Sequence, residues 1–210
     1  MKSILIADDH AVVRKGLMRI LSEGSQRTAV DEAGTAGEAL EMAAAKHYDA
    51  VILDISLPDR NGLEVLKEIR ERRPGLPVLI LSVHPEEQYA VRALRGGAMA
   101  YLTKDGAPEE LLKALAAVLQ GRRYIGASLA EKLADTLAAG APRPPHESFS
   151  EREFEVFDRL ARGRSVAQIA AELFLSPKTV STYRRRILDK MGMSTTAEII
   201  RYAAKTGLVD

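Results

Sequence analysis

Val51-Ile52-Leu53-Asp54-Ile55-Ser56-Leu57-Pro58-Asp59-Arg60-Asn61-Gly62 is the stretch that decides the fold. It opens as a short apolar run, the pattern of a strand buried on both faces. The run ends on one carboxylate, Asp54. Pro58 and the Asn61-Gly62 pair then turn the chain, and Leu63, Leu66 and Ile69 follow at helical spacing. Asp54 is therefore expected at the carboxyl end of a central parallel strand, the edge where open α/β sheets bind ligands. A lone acid at a strand end is as often a solvated loop residue. Three other apolar runs change that balance, because each delivers a polar side chain to its carboxyl end: Ile4-Leu5-Ile6-Ala7-Asp8-Asp9, Leu79-Ile80-Leu81-Ser82 and Ala100-Tyr101-Leu102-Thr103-Lys104.

Around these runs the pattern repeats. Strands are expected at Ser3 to Ala7, Thr28 to Ala33, Ala50 to Leu53, Val78 to Leu81 and Ala100 to Thr103. Helical segments separate them, one opened by Pro85 and the last opened by Pro108 and closed by Gly121. Strands alternating with helices argue for right-handed βαβ units, and hence a doubly wound five-stranded parallel sheet over residues 1–122.

The pattern changes at Ser128, where Ser128-x-x-Glu131 reads as a capping box for one more helix. Ala138 to Glu147 holds three prolines and a glycine and lacks apolar periodicity, so residues 123–149 are expected to be a helix and an exposed linker. Residues 150–210 carry three further capping boxes, Ser150-x-x-Glu153, Ser165-x-x-Gln168 and Thr195-x-x-Glu198, and Ser176-Pro177 supplies another helix start. Four short helices are expected there. Leu160, Ile169, Ala170, Leu173, Val180, Ile187, Ile199 and Ile200 are the candidates for their shared core.

Formal net charge is +1, unevenly spread. Residues 150–210 hold 11 Lys+Arg against 8 Asp+Glu, and the rest hold 19 against 21, so the tail alone is suited to an anionic partner. The chain has no cysteine, which excludes a disulfide framework and a thiolate metal site and fits a reducing cytoplasm. The amino terminus lacks a signal-peptide core, and no run approaches the ~18 apolar residues of a membrane span. His10, His47, His84 and His146 lack ligand-like spacing and read as surface residues.

Asp8, Asp9 and Asp54 gather three carboxylates, which repel one another unless a cation joins them. Hard oxygen ligands suit Mg²⁺. A Mg²⁺ ion beside a carboxylate nucleophile, a lysine (Lys104) and a hydroxyl (Ser82) form the set needed to transfer a phosphoryl group onto Asp54. In the tail, Val166 to Leu173, a turn through Phe174-Leu175, and Ser176 to Met191 form a helix-turn-helix pattern. Its second helix places Lys178, Ser181, Thr182 and Arg185 away from the apolar side, where a major groove could receive them. Thr179 lies with Lys178 at the helix amino terminus, which suits a phosphate, and Arg186 and Lys190 are expected on phosphates.

Residues 1–122 resemble a two-component receiver domain, through Asp8-Asp9, Asp54 before Leu57-Pro58 and Gly62, Ser82, Tyr101 and Lys104. The resemblance implies a flavodoxin-like fold, a sensor histidine kinase as phosphoryl donor, and Asp54 as phosphoacceptor. It also implies metal ligation by Asp8, Asp9, Asp54 and the backbone carbonyl of Ser56, and a switch through Ser82 and Tyr101 in which the ring turns inward. Asp105 stands where many receivers have proline. The tail resembles the LuxR-type helix-turn-helix through Leu175-Ser176-Pro177-Lys178-Thr179-Val180 and Lys190-Met191-Gly192. Together they resemble the NarL/FixJ group. The resemblance implies a cytoplasmic transcription regulator that binds a double-stranded DNA operator, forms a homodimer when phosphorylated and is not an enzyme. Two rivals are weighed against it. An aspartate-nucleophile phosphatase usually has a second acid two residues on, where this chain has Ser56. A phosphate-independent DNA-binding regulator would not need Asp8, Asp9, Asp54, Ser82 and Lys104 all intact.

Overall fold

The computed structural model describes residues 1–23, 28–83, 86–106, 108–138 and 144–209, and the expected helix start at Pro85 and His84 lie outside them. The chain forms two compact units, Met1–Ala139 and Gly140–Asp210. In the first, β1 (Lys2–Ala7), α1 (Ala11–Glu23), β2 (Thr28–Ala33), α2 (Ala36–Ala45), β3 (Ala50–Leu53), α3 (Gly62–Arg72), β4 (Val78–Ser82), α4 (Glu86–Arg95), β5 (Ala100–Thr103) and α5 (Pro108–Val118) follow in order. The five strands are all parallel and lie side by side in the order β2-β1-β3-β4-β5. The order reverses between β1 and β3, which makes that gap the switch point of a doubly wound sheet.

Strand alternation divides the core. Ile4, Ile6, Ala50, Ile52, Leu79, Leu81, Ala100 and Leu102 pack with Leu17 and Leu21 of α1 and with Leu111, Ala114, Leu115 and Val118 of α5. The intervening Leu5, Val51, Leu53, Val78, Ile80 and Tyr101 are fully buried and must face the opposite layer. Every residue of β3 and β4 is buried, which is why those runs are continuously apolar instead of alternating.

Beyond α5, Tyr124 N–H donates to the Met99 carbonyl at 2.9 Å, adding one parallel bridge at the β5 edge. Then α6 (Ala127–Ala138) packs on α4. Its first turn is closed by Ala130 N–H on the Gly126 carbonyl at 2.9 Å, so Ser128 lies inside the helix and is not the cap its spacing to Glu131 suggests.

The second unit holds α7 (Glu151–Ala161), α8 (Val166–Glu172), α9 (Pro177–Met191) and α10 (Thr196–Lys205). The three capping boxes at Ser150, Ser165 and Thr195 form in full. Ile200 is 39% exposed and leaves the core, because Ile199 and Ala203, one turn apart, occupy the inner face of α10. The expected linker is shorter than its proline content suggests. Pro145–Ser148 forms a 3-10 turn, and His146 stacks on Phe157 at 6.1 Å between ring centroids while its Nδ1 lies 2.7 Å from the Tyr202 hydroxyl. That histidine is half-buried among aromatics, not a free surface group.

Gly62 opens α3 against the loop that follows β3. Its N–H donates to the Ile55 carbonyl at 2.8 Å, and a Cβ there would lie 2.0 Å from the Asp54 carbonyl oxygen and 2.8 Å from Ile55 Cα. Both obstacles are backbone and cannot swing aside, so the glycine is required for close approach. Gly62→Ala is expected to destabilise the first unit by about 1–3 kcal/mol or more, read from urea unfolding; an unchanged midpoint would show that the loop relaxes freely.

Candidate functional sites

The pairing of β1 with β3 ends at Ala7 and Leu53, so the next residues, Asp8 and Asp54, leave the sheet side by side at the switch point. Both are almost wholly buried. Asp54 N–H donates to the Ala7 carbonyl at 2.8 Å, and Asp8 N–H to the Ala33 carbonyl at 3.1 Å. Lys104, just past β5, reaches across with Nζ 2.7 Å from Asp8 Oδ2 and 2.8 Å from Asp54 Oδ2. Burial pulls the Lys104 ammonium down, but its hydrogen bonds and charge contacts with Asp54 and Asp8 outweigh that, so its pKa is raised. Burial pushes the Asp54 carboxyl above the usual carboxylate range despite Lys104, with Asp8 adding to the rise and the Ser56 backbone N–H opposing it. Asp54 Oδ1 is buried and makes no well-formed hydrogen bond. A buried carboxylate oxygen without a donor is costly, and it is the atom a cation or an electrophile would engage.

Asp9 is exposed beside this pair. Asp8, Asp9, His10 and Asp54 each offer a ligand atom, all within 4.8 Å of one another. His10 belongs to the cluster although histidine spacing alone gives no sign of it; the signal is its place directly after two acids. Ser56 lies in the loop after Asp54, bridged to Asn61. Ser82 is fully buried at the end of β4, and its carbonyl accepts from Lys104 N–H at 2.8 Å. Tyr101 is also fully buried, paired with Ile80. In this state its ring is already inside, so the inward turn expected from the sequence is not needed to bury it. The buried residues of α4, which packs on β5, include the small Ala90 and Ala93, which leave room for a ring.

Asp59 is a residue that the sequence pattern does not mark. Its Oδ1 accepts from Ala36 N–H at 2.7 Å and its Oδ2 from Gly37 N–H at 2.9 Å, while the Thr35 hydroxyl accepts from Glu38 N–H at 3.1 Å. The loop behind Asp54 is thereby fastened to the amino terminus of α2, where backbone donors would otherwise lack partners.

In the second unit, α8 and α9 are joined by a turn in which Phe174 takes φ 53°, and Ser176 caps α9 by accepting from Thr179 N–H at 3.1 Å. Val180, Ile187 and Leu188 bury the inner side of α9. Lys178, Ser181, Thr182, Arg185 and Arg186 are exposed, and Lys178, Thr179, Thr182, Tyr183 and Arg186 line one open depression. The guanidinium of Arg186 lies 6.0 Å from the Tyr183 ring centroid. Arg185, Lys178 and Ser181 make no side-chain hydrogen bond or ion pair among the described residues. Two cations on α9 are used internally. Arg184 Nε donates to Thr196 Oγ1 at 2.8 Å. Lys190, which the sequence places on phosphates, has its Nζ 2.5 Å from Oε2 of the buried Glu153, the same oxygen that closes the Ser150 capping box.

Fold and site together define a phosphoacceptor-type α/β domain followed by a helix-turn-helix domain. Residues 4–116 match the response regulator receiver domain, and residues 147–203 match the bacterial regulatory proteins of the luxR family. The chain is 33% identical to the response regulator UvrY of Escherichia coli, over 99% of this chain and 96% of that protein. It is 33% identical to the response regulator GacA of Pseudomonas aeruginosa, over 100% and 99%. It is 38% identical to the transcriptional activator protein ExaE of Pseudomonas putida, over 98% and 97%. Among solved structures, RcsB of Salmonella enterica serovar Typhimurium, bound to a promoter in the presence of a phosphomimetic, superimposes with a TM-score of 0.67 at 26% identity, covering 97% of this chain and 98% of that one. The chain belongs to the NarL/FixJ-group response regulators, with a receiver domain and a LuxR-type DNA-binding domain.

Two stability outcomes follow from this geometry. The Asp59 carboxyl faces desolvation that would raise it, but the Ala36 and Gly37 N–H groups hold it below its usual range. Its contribution is complete above the unfolded carboxylate value, about 3.9, and is lost as pH falls through the lower folded value. Asp59→Asn should flatten the stability-pH curve in that acid window; an unaltered curve would remove Asp59 as a charged cap. At the turn, Phe174→Asn should stabilise the second unit by up to about 1 kcal/mol in thermal unfolding, since asparagine tolerates the left-handed region that phenylalanine strains to adopt.

Proposed function

We propose that this protein accepts a phosphoryl group on Asp54 from a sensor histidine kinase and, in response, binds a DNA operator through α9 to regulate transcription. The observation that carries the reading is the Lys104 ammonium held between Asp8 and Asp54 at 2.7 and 2.8 Å, with Asp54 Oδ1 buried and unpaired beside it. The unpaired oxygen is positioned as a nucleophile or ligand, and the ammonium is already in place for the incoming phosphate oxygens.

The oxygen donors of Asp8, Asp9 and Asp54, with the backbone carbonyl of Ser56, fit a Mg²⁺ ion, and the orphaned Oδ1 gives that fit a structural reason. Bound there, the ion would neutralise charge on the phosphoryl oxygens. The Asp54 carboxylate attacks phosphorus, the bond from phosphorus to the kinase imidazole breaks with its electron pair on nitrogen, and an acyl phosphate remains. Lys104 then exchanges part of its contact with Asp54 for a phosphate oxygen, and the Ser82 hydroxyl donates to another. Because Ser82 and Ile80 face the same side of β4, and Ile80 pairs with Tyr101, that movement reaches the Tyr101 ring and the α4-β5 face. The output is a homodimer that presents two copies of α9 to a two-fold operator.

Lys178, Thr179 and Arg186 contact phosphates, and Ser181, Thr182 and Arg185 face base edges. Lys190 keeps its pair with Glu153 and acts through the position of α9. Residues 1–122 act as the receiver and 150–210 as the DNA-binding domain, preceded by the aromatic anchor of His146. No helix among the described residues is long and apolar enough to cross a membrane, and a cysteine-free regulator of DNA fits the cytoplasm. The protein serves as a switch whose only chemistry is its own modification.

Acetyl phosphate with Mg²⁺ should add one phosphoryl mass to the wild type and none to Asp54→Ala; a mass gain in that variant would move the acceptor elsewhere. Arg185→Ala should weaken operator binding by about 1–3 kcal/mol and relax base preference, while Lys178→Ala should weaken specific and random DNA alike and reduce the salt slope. Equal losses for Arg185→Ala on both DNAs would reassign it to the phosphates.

A further inference from the structure

We propose that Arg14 is a positioning residue for phosphoryl transfer: its guanidinium replaces a missing backbone donor beside β1, and by holding the Asp8 peptide it sets where Lys104 stands over Asp54. The role rests on the phosphoacceptor reading above and adds a residue that lies outside the reacting set.

The geometry begins in the sheet. In the parallel ladder of β1 and β2, Ala7 pairs with Ala33, and one step further Asp8 N–H still donates to the Ala33 carbonyl at 3.1 Å. The next donor in that ladder, for the Asp8 carbonyl, would be Thr35 N–H. By then the chain has left the sheet: Gly34 N–H turns to Glu38 Oε2 at 2.7 Å, and Thr35 caps α2. Among the described residues no backbone N–H donates to the Asp8 carbonyl. Arg14 Nη1 does so instead, at 2.6 Å, while its Nε donates to Glu32 Oε2 of β2 at 2.8 Å. The planar fork thus bridges the two strands where their ladder ends. Its root is fixed as well, because Arg14 N–H closes the first turn of α1 on the His10 carbonyl at 3.1 Å. The side chain is only 17% exposed, so the head is held in this one place.

The Asp8 peptide matters because Asp8 acts through Lys104. Asp8 Oδ2 and Asp54 Oδ2 share the Lys104 ammonium at 2.7 and 2.8 Å. Asp8 is buried, and a buried carbonyl without a donor is costly, so without Arg14 the peptide would turn until it found one. The Asp8 side chain would turn with it and draw the ammonium away from Asp54. Lys104 would then meet the incoming phosphoryl oxygens out of place, which slows the transfer without weakening the encounter with the donor. The plainer alternative is that the Arg14-Glu32 pair only ties α1 to β2, in which case its removal would lower stability and leave the rate per folded molecule unchanged.

The test uses the full chain with saturating Mg²⁺ and varied acetyl phosphate, for wild type, Arg14→Ala, Arg14→Lys, Glu32→Ala and the variant combining Arg14→Ala with Glu32→Ala. Arg14→Lys keeps the charge and the aliphatic stem but cannot reach both acceptors, so it separates the fork from the charge and should fold. Both Arg14 variants should lose about tenfold in the maximal rate of phosphoryl gain per folded molecule, while the half-saturating acetyl phosphate concentration changes by less than about twofold. Glu32→Ala, at an exposed position, should lose about threefold, and the combined variant should be no slower than Arg14→Ala because the two side chains act as one unit. In the unphosphorylated protein, the nitrogen–proton resonance of the buried Lys104 Nζ should be resolved in the wild type and broadened by exchange with water in both Arg14 variants. Arg14→Lys at the wild-type rate, a loss confined to the unfolding midpoint, or an unchanged Lys104 resonance overturns the proposal. A wild type that gains no phosphoryl mass would sink the phosphoacceptor reading, and the Lys104 resonance would still decide whether Arg14 holds the pair in place.

Discussion

One ammonium between two buried carboxylates organises the first unit. Asp8 and Asp54 sit side by side because β1 and β3 are paired in register, and two buried carboxylates so placed repel one another. Lys104 enters from β5, two strands from Asp54, and supplies the missing charge. The arrangement is deliberately incomplete in physical terms: two carboxylates and Asp9 exceed one ammonium, and Asp54 Oδ1 still lacks a donor. The structure thus stores a demand for positive charge at the point where the sheet order reverses, and the surrounding backbone exists to keep the acids there. Gly62 lies against the Asp54 carbonyl, Asn61 accepts from Leu63 N–H at 2.7 Å, and Asp59 ties the loop to α2.

Much of this was legible before any coordinates. Apolar runs ending in polar residues revealed the strands and their functional edge, because a strand buried on both faces has little freedom in composition. Capping boxes revealed α7, α8 and α10, because the same side chain both ends the preceding loop and starts the helix. What stayed hidden depends on contacts distant in sequence. Asp59 meets the Ala36 N–H 23 residues away, and Lys190 meets Glu153 37 residues away; no local pattern reports either. Ser128 shows the converse error, a capping motif overridden because Gly126 starts the turn earlier. His146 was concealed by its prolines: Pro144 and Pro145 look like linker, yet they lead the chain into a 3-10 turn that seats the ring on Phe157.

The basic helix illustrates why counting charges is a poor guide to a binding surface. Of the cations on α9, Arg184 and Lys190 serve neighbouring helices, and Arg186 lies near Tyr183. Lys178 and Arg185 are left with no partner among the described residues. An unpaired, solvated cation loses little when it meets an anion, whereas one already paired must first be released. The affinity of the helix therefore depends on fewer side chains than its composition implies.

The order of the strands along the chain has a consequence for biosynthesis. Lys104 lies 50 residues after Asp54, so a chain growing from its amino terminus completes both acids well before their counter-charge exists. Until β5 has emerged, β1 and β3 can pair only by bringing like charges together, and the nascent sheet has reason to remain loose at that edge. Arrival of the lysine supplies the charge that offsets the repulsion. The residue that completes the acidic site is thus also the one that ends the sheet, with α5 and α6 still to be added to the first unit.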